Sequence, residues 1–134
     1  MRAVIFRLSM YLPPLLLMGL IYFLSDQPDL STGLGFWDLV LRKLAHMSVY
    51  LLLTLLWWRA LATDLDHPLA LAALIAFLFA ITDEYHQTFV EGRHGSPVDV
   101  GIDSVGIAVA VLLARAAWFR RRIARRFAVR SADR

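Results

Sequence analysis

The chain alternates four long apolar runs with short polar breaks. The runs cover about residues 4–24, 39–61, 68–89 and 99–119. A hydrocarbon core about 30 Å thick takes about 20 helical residues per crossing, so each run is long enough to be a transmembrane helix. The pattern therefore predicts an all-α fold, a small polytopic membrane protein whose four transmembrane helices form one bundle and one domain. The first run follows Arg2 and Arg7 in the manner of a signal peptide, but its exit, Tyr22 to Pro28, lacks the small-residue cleavage pattern. Pro13 and Pro14 lie inside this run, where neighbouring helices can satisfy the freed carbonyls and a kink is expected. Gln27-Pro28 with Ser31-Thr32-Gly33 reads as a loop, Asp64 to Pro68 as a polar break, and Glu91 to Pro97, with two glycines and a proline, as a sharp connector.

Polar positions inside the runs keep helical register. At about 100° per residue, Lys43, His46, Met47, Tyr50, Thr54 and Trp57 share one narrow face of the second run, while Leu51, Leu52, Leu55 and Leu56 point elsewhere. In the third run Ala72, Ala73, Ala76 and Ala80 continue into Asp83, Glu84 and Gln87, with Leu74, Leu78, Ile81 and Tyr85 opposite. In the fourth, Asp99 and Asp103 share a face with Gly106, Ala110 and Ala117. Small residues belong at helix contacts in a membrane and large ones toward lipid. The third and fourth helices are therefore expected to pack through their alanine and glycine faces, with the acids turned inward and Tyr85 outward.

Composition agrees with a membrane protein and removes other classes. Of 134 residues, 59% are hydrophobic and 19% charged, with a mean hydropathy of +0.59, which excludes an ordinary soluble enzyme. The absence of cysteine rules out disulfides and thiolate metal ligands. The net charge of +3 is concentrated in the C-terminal segment 120–134, through Arg120, Arg121, Arg122, Arg125, Arg126 and Arg130. Directly after a membrane span, these read as an anchor on anionic lipid rather than a nucleic-acid surface. Basic residues stay inside, so both termini are expected on the cytoplasmic side of the inner membrane. That orientation brings Lys43, His46, Asp83, Glu84, Arg93 and Asp99 to the external edge. Arg42 and Lys43 go against the charge rule unless Lys43 faces the carboxylates.

The stretch from Asp83 to Asp103 carries Asp83, Glu84, Glu91, Asp99 and Asp103, with His86, Arg93 and His94. A charge at mid-bilayer costs at least about 2.5 kcal/mol, so this is the expected functional end. The candidate cluster is Lys43, His46, Tyr50, Asp83, Glu84, Gln87, Arg93, Asp99 and Asp103, expected as one electrostatic unit with Lys43, His46 and Arg93 set against Asp83, Glu84 and Asp99. Within it, His46, Asp83, Glu84 and Asp99 are the candidates for acid–base or metal chemistry. Glu84 and Gln87 lack the paired-histidine zinc-protease motif, and no nucleophile elbow is present. The sequence requires no cofactor and fixes no metal site or oligomeric state.

These residues together resemble the VanZ-like membrane proteins. The resemblance rests on Ser25-Asp26-Gln27-Pro28 leaving the first helix and on Lys43, His46 and Tyr50 in the second. It continues through Asp83-Glu84 with Gln87 and Phe89, then Arg93, Asp99 and Gly106, so it spans about Phe23 to Gly106. Asp103 stands where many relatives carry Asn. The family takes its name from a protein conferring low-level resistance to teicoplanin, a lipid-tailed glycopeptide; the resemblance implies the fold and supplies no mechanism.

Three readings stay open. The external cluster binds or handles an amphiphile (a lipid headgroup, a lipid-linked cell-envelope intermediate or a lipoglycopeptide such as teicoplanin), with Lys43 and Arg93 meeting phosphate and the small-residue faces framing a groove. Alternatively, it is a membrane-embedded, metal-dependent hydrolase or transferase acting on a lipid-linked substrate. In the third reading, the charges only pair with one another and fix helix register.

Overall fold

The computed structural model describes residues 2–27, 35–62, 65–93 and 95–132, with side chains from 5 to 120 within those segments. The loop residues Pro28 and Ser31 to Gly33, together with Asp64 and His94, lie outside the described residues, as do the side chains of Arg2 and of the arginines beyond Arg120. Four helices make up the structure: α1 (Arg2–Ser25), α2 (Phe36–Leu61), α3 (Pro68–Gln87) and α4 (Pro97–Ala132). Each contains a stretch long and apolar enough to cross a bilayer, at Ile5–Ser25, Phe36–Leu61, Pro68–Gln87 and Pro97–Arg120. The protein is a small all-α polytopic membrane bundle.

The helix limits follow local chemistry. α1 runs through both Pro13 and Pro14 as one helix. α2 starts three residues before the apolar run, after Gly35, whose positive φ of 56° turns the chain into the helix. Asp38 in its first turn pairs with Arg42 one turn on, at 3.0 Å. α3 opens on Pro68, where a missing N–H is not needed, and closes at Gln87. α4 begins with Ser96 accepting the Val98 N–H through Oγ and Pro97 in the first turn. It does not stop at Phe119: arginine and alanine are good helix formers and neither glycine nor proline follows, so the basic segment continues the helix to Ala132.

The bundle is lined by small residues and covered by large ones. Ala60, Ala72, Ala76, Ala80, Ala110 and Ala114 are buried, whereas Leu16, Leu20, Leu74, Leu78, Leu112 and Leu113 are exposed toward the place lipid would occupy. Ile21, Tyr50, Leu53, Ala76, Ala80 and Ile107 form the central cluster. α4 packs most extensively on α2, and among the described residues α1 touches α2 and α3 but not α4. This corrects one expectation. Gly106 does not serve a close α3–α4 crossing; a Cβ there would run into the Met47 carbonyl and come within 3.2 Å of the Leu51 nitrogen, both in α2. α4 therefore makes its closest approach on the helix that carries His46.

Candidate functional site

The C-terminal ends of α1 and α3 and the N-terminal parts of α2 and α4 meet at one end of the bundle. Here the interior is polar: Ser25, Asp83, Glu84, Gln87 and Asp103 are buried. The wheel of α3 explains three of them, since the alanine face that packs inward continues into Asp83, Glu84 and Gln87.

Gln87 organises that face. Its Nε2 lies 3.2 Å from Asp83 Oδ2, 3.4 Å from Glu84 Oε1 and 3.4 Å from Ser25 Oγ. Ser25 Oγ also donates to Asp83 Oδ2 at 2.9 Å, which ties α1 to α3. Glu84 Oε2 accepts the backbone N–H of Ser96 at 2.9 Å. The approach requires Gly95, because a Cβ there would meet the Glu84 carbonyl and lie 2.6 Å from Thr88 Cγ2.

On the facing helices His46 Nδ1 stands 3.4 Å from Asp103 Oδ1, and Asp103 is fully buried. Among the described residues, neither oxygen of Asp103 has a hydrogen-bond partner, nor have His46 Nδ1, Asp83 Oδ1 and the Tyr50 hydroxyl. His46, Glu84 and Asp103 each present a ligating atom, and these atoms lie within 4.8 Å of one another. Two carboxylates and an imidazole form a donor set for a borderline or hard divalent ion such as Zn²⁺ or Mn²⁺.

Of the two cations in the candidate cluster, Lys43 meets a carboxylate as expected and Arg93 does not. Lys43 pairs with Asp99 across α2 and α4. Arg93, expected opposite the carboxylates, instead turns back to α1, where Nη1 lies 3.1 Å from the Leu24 carbonyl, 3.2 Å from that of Ser25 and 3.4 Å from that of Gln27. The last carbonyls of a helix lack partners within it, and a guanidinium is suited to gather them. Gly92, at a φ of 77°, supplies the reversal that sends Arg93 there. Consequently, among the described residues, no lysine or arginine forms an ion pair with Asp83, Glu84 or Asp103.

Thr54, on the polar face of α2, donates to its own helix at the Tyr50 carbonyl, 2.8 Å away, and so takes no part in the cluster. Ser25 and Ser96 were absent from the expected set. Their signals were the serine closing the first apolar run and a Ser-Pro pair opening the fourth, a helix-start pattern. His86 makes a separate contact on the outside, stacked on Tyr22 and 3.3 Å from Asp26.

Fold and site together define a small multi-pass membrane protein with an acidic, histidine-bearing polar centre between its helices. A family model described as VanZ/LLP1 matches residues 10–120, and the chain belongs to this family. No curated protein and no solved structure matches it.

Proposed function

We propose that the protein is a membrane-embedded, metal-dependent hydrolase or transferase acting on a lipid-linked substrate, with a divalent ion bound by His46, Glu84 and Asp103. The observation that supports this reading is the convergence of these three groups, with Asp103 fully buried and, among the described residues, without a hydrogen-bond partner. A buried carboxylate must be neutralised by a proton or a cation, and among the described residues its neighbours supply no lysine or arginine for the purpose, only the His46 imidazole at 3.4 Å. A bound ion would polarise a phosphoryl or ester oxygen and acidify a water. Gln87 and the Ser96 N–H hold Glu84 in place, while Ser25 and Gln87 orient Asp83 and leave its Oδ1 free to take a proton from an attacking hydroxyl.

The arginine-rich sequence after Trp118 supports an inner-membrane topology with both termini cytoplasmic and the polar centre at the outer face. A reporter fused after Arg134 should then report the cytoplasm; an external signal would move the site to the other face.

The deciding experiment is elemental analysis of detergent-purified protein together with extraction of co-purifying lipid. Stoichiometric divalent metal, lost in Asp103→Asn, Glu84→Gln and His46→Gln while each variant still purifies as a single species, is the expected result. Absence of metal after reloading would overturn the reading. Lipid without metal would favour the second reading, in which the cluster only holds an amphiphile such as a lipid headgroup, an envelope intermediate or teicoplanin; the open cleft beside His46 supports it.

A further inference from the structure

Two cavities meet at His46. The first, about 310 Å³, lies between α1 and α2 and is apolar along Ile21, Leu24, Leu41 and Val49. Its inner wall includes Tyr50 and Ser25, and Arg42 and Arg93 stand at its polar end. The second, about 230 Å³, is polar and is reached by the same Arg42, His46 and Arg93, together with Lys43 and Asp99. The groove expected between small-residue faces is closed, because those alanines pack against neighbouring helices. The open cleft instead borders α1, with Leu24 and Leu41 exposed at the bilayer side.

The charges at this junction differ in how far they are satisfied. Arg42 is paired with Asp38 and Lys43 with Asp99. Arg93 meets only backbone carbonyls through Nη1, so among the described residues its charge has no carboxylate counterpart. Tyr50, 1% exposed, closes the inner wall of the cleft. A guanidinium with spare N–H groups calls for an oxygen-rich anionic occupant, while the apolar wall calls for a chain.

We infer that the substrate is a lipid bearing a phosphate group, which enters sideways from the bilayer between α1 and α2. Its chain lies along Ile21, Leu24, Leu41 and Val49, and its phosphate is received by Arg93 and Arg42 beside His46. This rests on the reading of His46, Glu84 and Asp103 as the reactive centre and adds the identity of what is brought to it. A guanidinium can donate two parallel N–H bonds to two phosphate oxygens, where a lysine would act as a point charge.

The test measures equilibrium binding to the purified full-length protein, with dodecyl phosphate, dodecanol and inorganic phosphate as probes, in metal-loaded and chelator-treated samples. Dodecyl phosphate should bind at least about tenfold more tightly than either of the others, because only it engages both cavities. Ala45→Trp, which fills the cleft from an exposed position without removing a charged group, and Arg42→Gln should each weaken it by about tenfold or more with metal content unchanged. Equal affinity for dodecanol would show that the arginines do not read phosphate, and equal affinity for inorganic phosphate would show that the cleft holds no chain. Either result overturns the inference, as does undiminished binding by Ala45→Trp. Stoichiometric metal without dodecyl phosphate binding refutes this inference and leaves the metal centre standing. Binding that survives chelation in a protein that takes up no metal upholds the lipid and refutes the metal.

Discussion

The two ends of the bundle treat polar groups in opposite ways. At the end where α2 turns into α3, the buried positions are Ala60, Leu61, Ala72 and Ala114, and the polar residues Arg59, Asp66, His67 and Arg115 lie at the exposed surface. That is what an interface with water and headgroups requires. At the other end Ser25, Asp83, Glu84, Gln87 and Asp103 are inside. Both ends face a membrane surface, so proximity to water cannot explain the difference. Polar side chains that could reach solvent, but are held between helices with several atoms unpartnered, mark a place organised around something other than stability.

The largest effect on this contrast is expected from the crossing that positions the polar end. Gly106 lets α4 approach α2 closely enough for Asp103 to stand beside His46. Gly106→Leu sets a side chain against the Met47 carbonyl, backbone that cannot swing aside, and should cost about 3 kcal/mol or more. The measurement is the melting temperature and monodisperse fraction in detergent. Leu78→Ala, at a residue 53% exposed, should stay within about 0.5 kcal/mol. Equal damage from the two would mean that the small-residue faces do not hold the bundle together.

A smaller effect is expected inside the polar cluster. Ser25→Ala removes the 2.9 Å hydrogen bond to Asp83 Oδ2 that joins α1 to α3. Gln87 still reaches that oxygen, at 3.2 Å, so the loss should be about 0.6 to 2 kcal/mol, the range of interhelical hydrogen bonds in membranes and of buried pairs generally. Thermal melting followed by circular dichroism would show it. No change would mean that α1 is held by its apolar face, Arg93 and the His86 contacts with Tyr22 and Asp26.

Much of this arrangement is legible in the sequence, because helical periodicity converts directly into facing. The inward turn of Asp83, Glu84 and Gln87 and the outward turn of Leu78 and Tyr85 follow from 100° steps along one apolar run. The partner of each face does not. A wheel gives a direction but not which helix lies there, so the Gly106 face was assigned to α3 when it packs on α2. Arg93 was misplaced for a related reason: charge suggested a carboxylate, whereas the open carbonyls ending α1 are invisible to a count of charges. The wheel of α4 makes Asp103 legible as an inward-facing member of the cluster, but not as a member of the reactive set, for which the sequence points to Asp99 instead. Only three-dimensional packing sets Asp103, fully buried, next to His46 and Glu84.

The smallest effect should come from the opposite end, and it decides whether the contrast holds. Asp66 and His67 carry the same functional groups as Asp103 and His46, but in the short connection between α2 and α3 rather than within helices. Both are exposed, and His67, at the N-cap position of α3, makes no capping hydrogen bond through its side chain. Water already solvates them, so Asp66→Asn and His67→Gln replace one hydrated group with another and should change stability by no more than about 0.5 kcal/mol. Metal content should be the same as in the unaltered protein. The comparison uses identical chemical changes, Asp to Asn and His to Gln, at both ends, so only the surroundings differ. If Asp66→Asn proved as harmful to melting temperature or metal content as Asp103→Asn, burial would not distinguish the two ends, and the case for a polar centre at one of them would fail.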